Sequence, residues 1–234
     1  MRIYVLRHGE SAAMQWRMAN PDAEVVDATQ LPDSSVPLST FGEEQVEALA
    51  LYFAALPVSE QPTVGFCSPF ARTTQTGQGA GSRLTPPLVL QPDNRLREID
   101  FGIFAELTKK GREAKFPAEW AERRRQGKTN YRTEGGENWH DMADRWIDFQ
   151  KAQIDTLPQE AVVLVSTHET MVSISQWKWG GRDMLALSKT GVPSASITIY
   201  DYDGKTFTVV AEHLLPPSPT GKNLHSMESK EKDV

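Results

Sequence analysis

Short apolar runs recur along the chain, and each ends in residues that carry chemistry. Ile3-Tyr4-Val5-Leu6 stops at Arg7-His8, and similar runs stand at Thr63-Val64-Gly65-Phe66-Cys67 and Ala161-Val162-Val163-Leu164-Val165. Continuous runs of this length, bounded by polar residues, predict buried strands. Between the first two, Val46, Leu49, Ala50 and Phe53 fall at i, i+3, i+4 and i+7. That spacing predicts a helix over 39–56, with Thr40 and Glu43 at capping-box spacing and Pro57 just past its end. Helical patterns also flank the third run. The resulting order predicts an α/β fold, a three-layer α/β/α sandwich around a mostly parallel sheet. Near the C-terminus, 196–202 and 205–210 alternate apolar and polar residues around Asp203-Gly204, which predicts a hairpin and an antiparallel edge.

Two stretches interrupt the alternation. Residues 14–36 contain Pro21, Pro32 and an acidic middle; residues 104–132 are rich in charge and helix formers around Phe116, Pro117 and Trp120. Connections this long are usually functional or disordered; both leave the chain just after chemical residues, so they are expected to build a small inserted cap. The 234 residues then suit one domain over 1–215, with a flexible tail over 216–234 that has too little apolar surface to pack.

Composition narrows the setting. A single cysteine, Cys67, cannot form an intramolecular disulfide, which favours a reducing, cytoplasmic location. A formal net charge of -6 without a Lys/Arg tract argues against nucleic acid as a partner. No apolar run approaches the ~20 residues a membrane helix needs, so no membrane partner is expected. The first run is also too short for a secretory signal. A homodimer stays open.

The chemistry lies at the strand ends, where open parallel sheets bind ligands. The first run ends in Arg7-His8-Gly9-Glu10-Ser11, and the second in Cys67-Ser68-Pro69-Phe70-Ala71-Arg72. Ser68 as N-cap and Pro69 in the first turn would put Arg72 at a helix N-terminus, a phosphate-attracting position. The third ends in Ser166-Thr167-His168-Glu169-Thr170, and Leu96-Arg97-Glu98-Ile99-Asp100 supplies carboxylates. Rival motifs fail. His168-Glu169 starts an H-E-x-x-H zinc pattern, but Val172 stands at the second histidine. Gly77-Gln78-Gly79-Ala80-Gly81 follows no strand and reads as a helix-ending loop. Cys67 reads as a packed thiol, and Arg123-Arg124-Arg125 as a solvated helix face.

Taken together, the chain resembles the histidine phosphatase superfamily in its phosphoglycerate-mutase-like branch. The matching pieces are Arg7-His8-Gly9-Glu10-Ser11, Pro37-Leu38-Ser39 with Gly42 and Gln45, and Ser68-Pro69-Phe70-Ala71-Arg72 with Gln75-Thr76. They continue, in order, through Leu96-Arg97-Glu98 and Gly102, Gly135-Gly136-Glu137, and Thr167-His168. The resemblance implies hydrolysis of a small phosphorylated metabolite, with His8 as nucleophile, Glu98 as proton donor and Arg7, Arg72 and His168 balancing phosphoryl charge. It implies no metal and no other cofactor. Substrate contacts are expected from Arg7, Arg72, Ser11, Gln15, Arg17, Glu169 and Thr170. The alternatives are a phosphoglycerate-type mutase and a phospho-ligand or phosphoprotein binding module without turnover. The segment 104–132 lacks the proline-rich stretch of the cofactor-dependent mutases, which disfavours the first. Departures from the family pattern stand at Met14, where Asn is usual, and at Glu169, where Gly is usual. Against the acidic surface, the pocket around Arg7, Arg72, His8 and His168 is expected to act as a local positive focus.

Overall fold

The computed structural model describes residues 1–26, 30–221, 223 and 224. In chain order the elements are β1 (Arg2–Arg7), α1 (Ala12–Ala19), α2 (Thr40–Ala55), β2 (Val64–Cys67), α3 (Ala71–Ala80), β3 (Leu90–Pro92), α4 (Lys109–Lys115) and α5 (Pro117–Gln126). They continue with α6 (Trp139–Ala152), β4 (Val162–Thr167), α7 (Glu169–Lys178), α8 (Met184–Ser188), β5 (Ile197–Tyr202) and β6 (Phe207–Leu214). The strands form one sheet in the order β3-β2-β4-β1-β5-β6. Its first three pairings are parallel, whereas β5 and β6 complete an antiparallel edge. The α/β architecture therefore matches its sequence pattern.

Alternation along β1 separates two cores, because successive strand side chains leave opposite faces. Ile3 and Val5 pack with Trp146, Phe149 and Val172 from α6 and α7. Tyr4 and Leu6 pack on the other face with Leu49 and Phe53 from α2. Each layer thus buries one sheet face.

Local expectations fail at a few places, each for a visible reason. α2 is capped by Ser39, whose hydroxyl accepts from the Gly42 amide at 3.0 Å, one residue before the expected Thr40. The glycine run from Gly77 is helical and belongs to α3, which ends at Gly81. A Cβ on Gly79 would stand 2.2 Å from the Val46 Cγ1, so these glycines bring α3 close to α2. The short β3 carried too little pattern to predict. α1 converts the start of the 14–36 excursion into helix.

The two excursions join. The Val26 amide donates to the Glu106 carbonyl at 2.7 Å and the Thr108 amide to the Glu24 carbonyl at 3.0 Å, around a Val25–Leu107 bridge. Gly111 permits this contact, since a Cβ there would lie 1.9 Å from the Glu24 oxygen. Phe104, Trp120 and Tyr131 give the cap a small core of its own. The tail expected to be loose from 216 is anchored at Leu224, which is buried and whose carbonyl accepts from the Gln45 amide group at 2.8 Å. The rest of that tail, from His225, lies outside the described residues. Among the described residues no helix is long and apolar enough to cross a membrane.

Candidate active site

Strand register assembles the site. Arg7 pairs with Thr167 across β1 and β4, and the His8 amide donates to the Thr167 carbonyl at 2.9 Å. His8 and His168 therefore stand side by side, ring centres 5.3 Å apart at 72°. β2 lies on the other side of β4, so the Ser68 amide reaches the Ser166 carbonyl at 3.0 Å. That brings the Ser68 hydroxyl within 2.8 Å of His168 Nε2. With its hydroxyl held there, Ser68 is not the N-cap of α3. Phe70 occupies that position, and Arg72 still falls in the first turn.

His8 Nδ1 lies 2.6 Å from the Gly9 carbonyl. A carbonyl can only accept, so Nδ1 carries the proton and Nε2 keeps its lone pair. Burial, reinforced by Arg72 and Arg7, holds the His8 pKa well below the ordinary imidazole value. The same burial, with Arg72 and His8 adding to it, lowers that of His168. Both rings are consequently neutral at physiological pH. Such an Nε2 can serve as a nucleophile.

Other residues of the recurring motifs hold the loops in place. The Gly9 amide donates to the Thr76 hydroxyl at 3.0 Å, the Glu10 amide to Gln45 at 2.8 Å, and the Leu38 amide to Gln75 at 2.9 Å. Glu98 follows the turn at Asn94–Leu96, and one carboxylate oxygen accepts from the Ile99 amide at 2.9 Å. Burial raises its pKa from the ordinary carboxylate value and nearby Glu169 adds to this; the Ile99 amide, Arg72 and Thr170 oppose it. Asp100 also borders the cavity, but its side chain accepts from the Gly102 amide at 2.9 Å, closing a local turn.

The Glu98 segment is fixed from below by Arg145. Its guanidinium pairs with Glu137 at 2.8 and 2.9 Å and donates to the carbonyls of Arg95 and Arg97 at 2.5 and 3.2 Å. Glu137 also accepts from the Asp100 amide at 3.0 Å. Removing one partner of a largely buried, hydrogen-bonded pair typically costs about 3–5 kcal/mol. Arg145→Ala should therefore lose about 3 kcal/mol of unfolding free energy in urea titration. An unchanged midpoint would show that the pair does not hold this segment.

The expected positive focus is corrected by the structure. Arg7 meets Glu169 at 3.0 Å, donates to the Val192 carbonyl and lies 3.8 Å from the Met14 sulfur. Arg72 is held by Asp33. Arg7 and Arg72 each face a carboxylate, so the charge of these two is locally offset. The Glu169 departure is thereby accommodated, since its carboxylate neutralises Arg7. Asp33, Val192 and Arg145 carried no sequence signal, and the contact of Ser68 with His168 differs from the capping role expected of it; each reaches the site through a contact between residues at least 39 positions apart.

These groups border a cavity of about 510 Å³ beneath the cap. Arg7, His8, Ser11, Arg17, Arg72, Glu98, Glu169 and Thr170 reach its wall, together with Met14, Asp33 and Arg112. Ser11 is also the N-cap of α1. His168 is fully buried and does not reach the wall, and Gln15 is exposed on α1 outside it. A larger depression of about 660 Å³ lies at the opposite ends of the strands. There Arg2 is tied to Glu60 and Asp201, and among the described residues no histidine lines it.

Known proteins share this arrangement of elements. The solved mycobacterial glucosyl-3-phosphoglycerate phosphatase superposes with a TM-score of 0.70 at 22% identity, covering 91% of this chain and 98% of that one. The α-ribazole phosphatase of Shigella flexneri superposes with a TM-score of 0.71 at 17% identity, covering 92% and 96%. At such identities the likeness is one of fold. The 55 kDa subunit of transcription factor tau from Saccharomyces cerevisiae is 35% identical over 89 residues, which is 38% of this chain and 19% of that subunit. The present chain thus spans only a fifth of that relative. The sequence profile of the histidine phosphatase superfamily (branch 1), by contrast, matches residues 3–213, nearly the whole chain, and the protein belongs to that superfamily.

Proposed function

We propose that the protein hydrolyses a small phosphomonoester through a phosphohistidine formed on His8, without a metal or other cofactor. The observation that carries this reading is the His8 tautomer: Nδ1 donates to the Gly9 carbonyl, leaving a neutral Nε2 at the wall of a cavity shared with Arg7, Arg72 and Glu98. In the first step Nε2 forms a bond to phosphorus while the ester P–O bond breaks. Glu98, whose acid form burial favours, gives its proton to the departing oxygen. In the second step the Glu98 carboxylate takes a proton from water, whose oxygen attacks phosphorus as the N–P bond breaks. Inorganic phosphate leaves and both side chains return to their starting states.

Arg7 and Arg72 would spread the charge on the non-bridging oxygens, the main demand of phosphoryl transfer. The cap segment 104–132 also favours an anionic ligand, with nine Lys and Arg against four Glu in a chain of net charge -6. Names of the structural relatives support the reaction class, since two of them are phosphatases of small phosphate esters.

The balanced arginines lend specific support to a second reading, a phospho-ligand binding module without turnover. An aryl phosphate incubated with the protein and a chelator separates the two. Continuous phosphate release, with no interconversion of 2- and 3-phosphoglycerate, is expected. Phosphate binding without release would establish the binding module, and interconversion the mutase.

A further inference from the structure

The contact between Arg72 and Asp33 is one that hydrolysis does not require. Arg72 is almost fully buried at the first turn of α3, whereas the Asp33 side chain is 55% exposed and approaches from the 14–36 excursion. Two guanidinium nitrogens face one carboxylate oxygen each, at 3.2 and 3.1 Å, and the first also takes the Asp33 carbonyl at 2.7 Å. This is the bidentate geometry with which arginine holds phosphate. Asp33 begins a short turn over Asp33–Ser35, closed by the Ser35 amide on the Pro32 carbonyl at 2.8 Å. Asp33 and Arg72 both belong to the cavity wall. The donors that would clasp a phosphate are therefore already clasping a carboxylate from a solvent-exposed turn.

We propose that Asp33 is an internal competitor for the phosphate seat on Arg72: substrate phosphate displaces its carboxylate, and the return of the carboxylate helps to expel inorganic phosphate. This inference rests on the phosphatase reading for its role in turnover, although its binding consequence stands apart from catalysis. Charge favours the exchange. A phosphomonoester dianion brings more charge and more acceptor oxygens than a carboxylate, while a half-exposed Asp33 regains water when it leaves. A seat that is open for only a fraction of the time binds its ligand more weakly by that fraction. Removing the competitor should tighten every ligand of the seat.

The test is calorimetric titration of inorganic phosphate, at a pH where it is mainly dianionic, into wild type, Asp33→Asn, Asp33→Ala and Asp22→Asn. Asp22 pairs with Lys110 in the same excursion and serves as a control for charge removal at a distance. Both Asp33 variants should bind phosphate about 5–10-fold more tightly, and Asp22→Asn should match wild type. In turnover, KM and the inhibition constant of product phosphate should fall together. Phosphate binding that is equal, weaker or undetectable in both Asp33 variants overturns the proposal. So does equal tightening in Asp22→Asn, which would reduce the effect to general charge. Thermal melts close to wild type establish that the exposed substitutions leave the fold intact. Loss of turnover without loss of this affinity pattern would count against the phosphatase reading alone.

Discussion

His8→Ala should lower the rate of phosphate release from an aryl phosphate by about 10⁴-fold or more, the scale seen when a covalent nucleophile is removed. The expectation follows from the position of His8 rather than from its identity alone. Its Nδ1 proton is committed to Gly9, and burial beside Arg7 and Arg72 suppresses the imidazolium form. The neighbouring imidazole is not placed to substitute, since His168 is held by Ser68 and lies outside the cavity wall. Rapid-quench labelling provides the second readout. A phosphate ester labelled at phosphorus should leave acid-labile, base-stable label on wild type and none on His8→Ala. A variant that retains a tenth of the activity would remove His8 from the nucleophile role.

Glu98→Gln should cost about 10²–10⁴-fold, and the loss should depend on the leaving group. An alkyl phosphate needs a proton on its departing oxygen; a nitrophenyl phosphate does not. The defect in the first step should therefore be large for the alkyl ester and small for the aryl ester. The pH profile carries the sign. The raised pKa of Glu98 keeps the acid form present further up the pH scale, and activity falls as the pH rises through that value. The lowered pKa of His8 keeps the nucleophile neutral further down, and activity falls as the pH drops through it. Wild type should thus show a bell in kcat/KM. Glu98→Gln should lose the alkaline limb and keep the acid limb. Equal losses for both esters, with the bell unchanged, would assign the proton to another group.

The strand ends were legible because their signal is local. Four or five apolar residues followed by Arg7-His8 or Thr167-His168 mark both a buried strand and an exposed carboxyl end, whatever the rest of the chain does. The α2 face was equally readable from its 3.6-residue period. Its cap was misplaced by one residue because Ser39 and Thr40 are both competent caps, and packing against the Glu10 loop selects between them. The glycines of α3 read as a loop because helix propensity counts only the local cost of glycine. Their value lies in the close approach of Val46, a contact spanning more than thirty residues.

The sequence by itself determined the α/β class and the strands that end in His8, Ser68 and His168, and it marked His8, His168, Arg7, Arg72 and Glu98 as the candidates for chemistry. It also located the two excursions that form the cap. Only the tertiary structure decided the electrostatics. Which nitrogen of His8 bears the proton, whether Glu98 is buried, and which carboxylate each arginine meets depend on distances between segments remote in the chain. A count of charges cannot supply them. Two of the arginines expected to make a positive focus are paired, Arg7 with Glu169 and Arg72 with Asp33, because folding brings those carboxylates within 3.0 and 3.1 Å. Pairing energy depends on separation and burial, and both quantities exist only once the chain has folded.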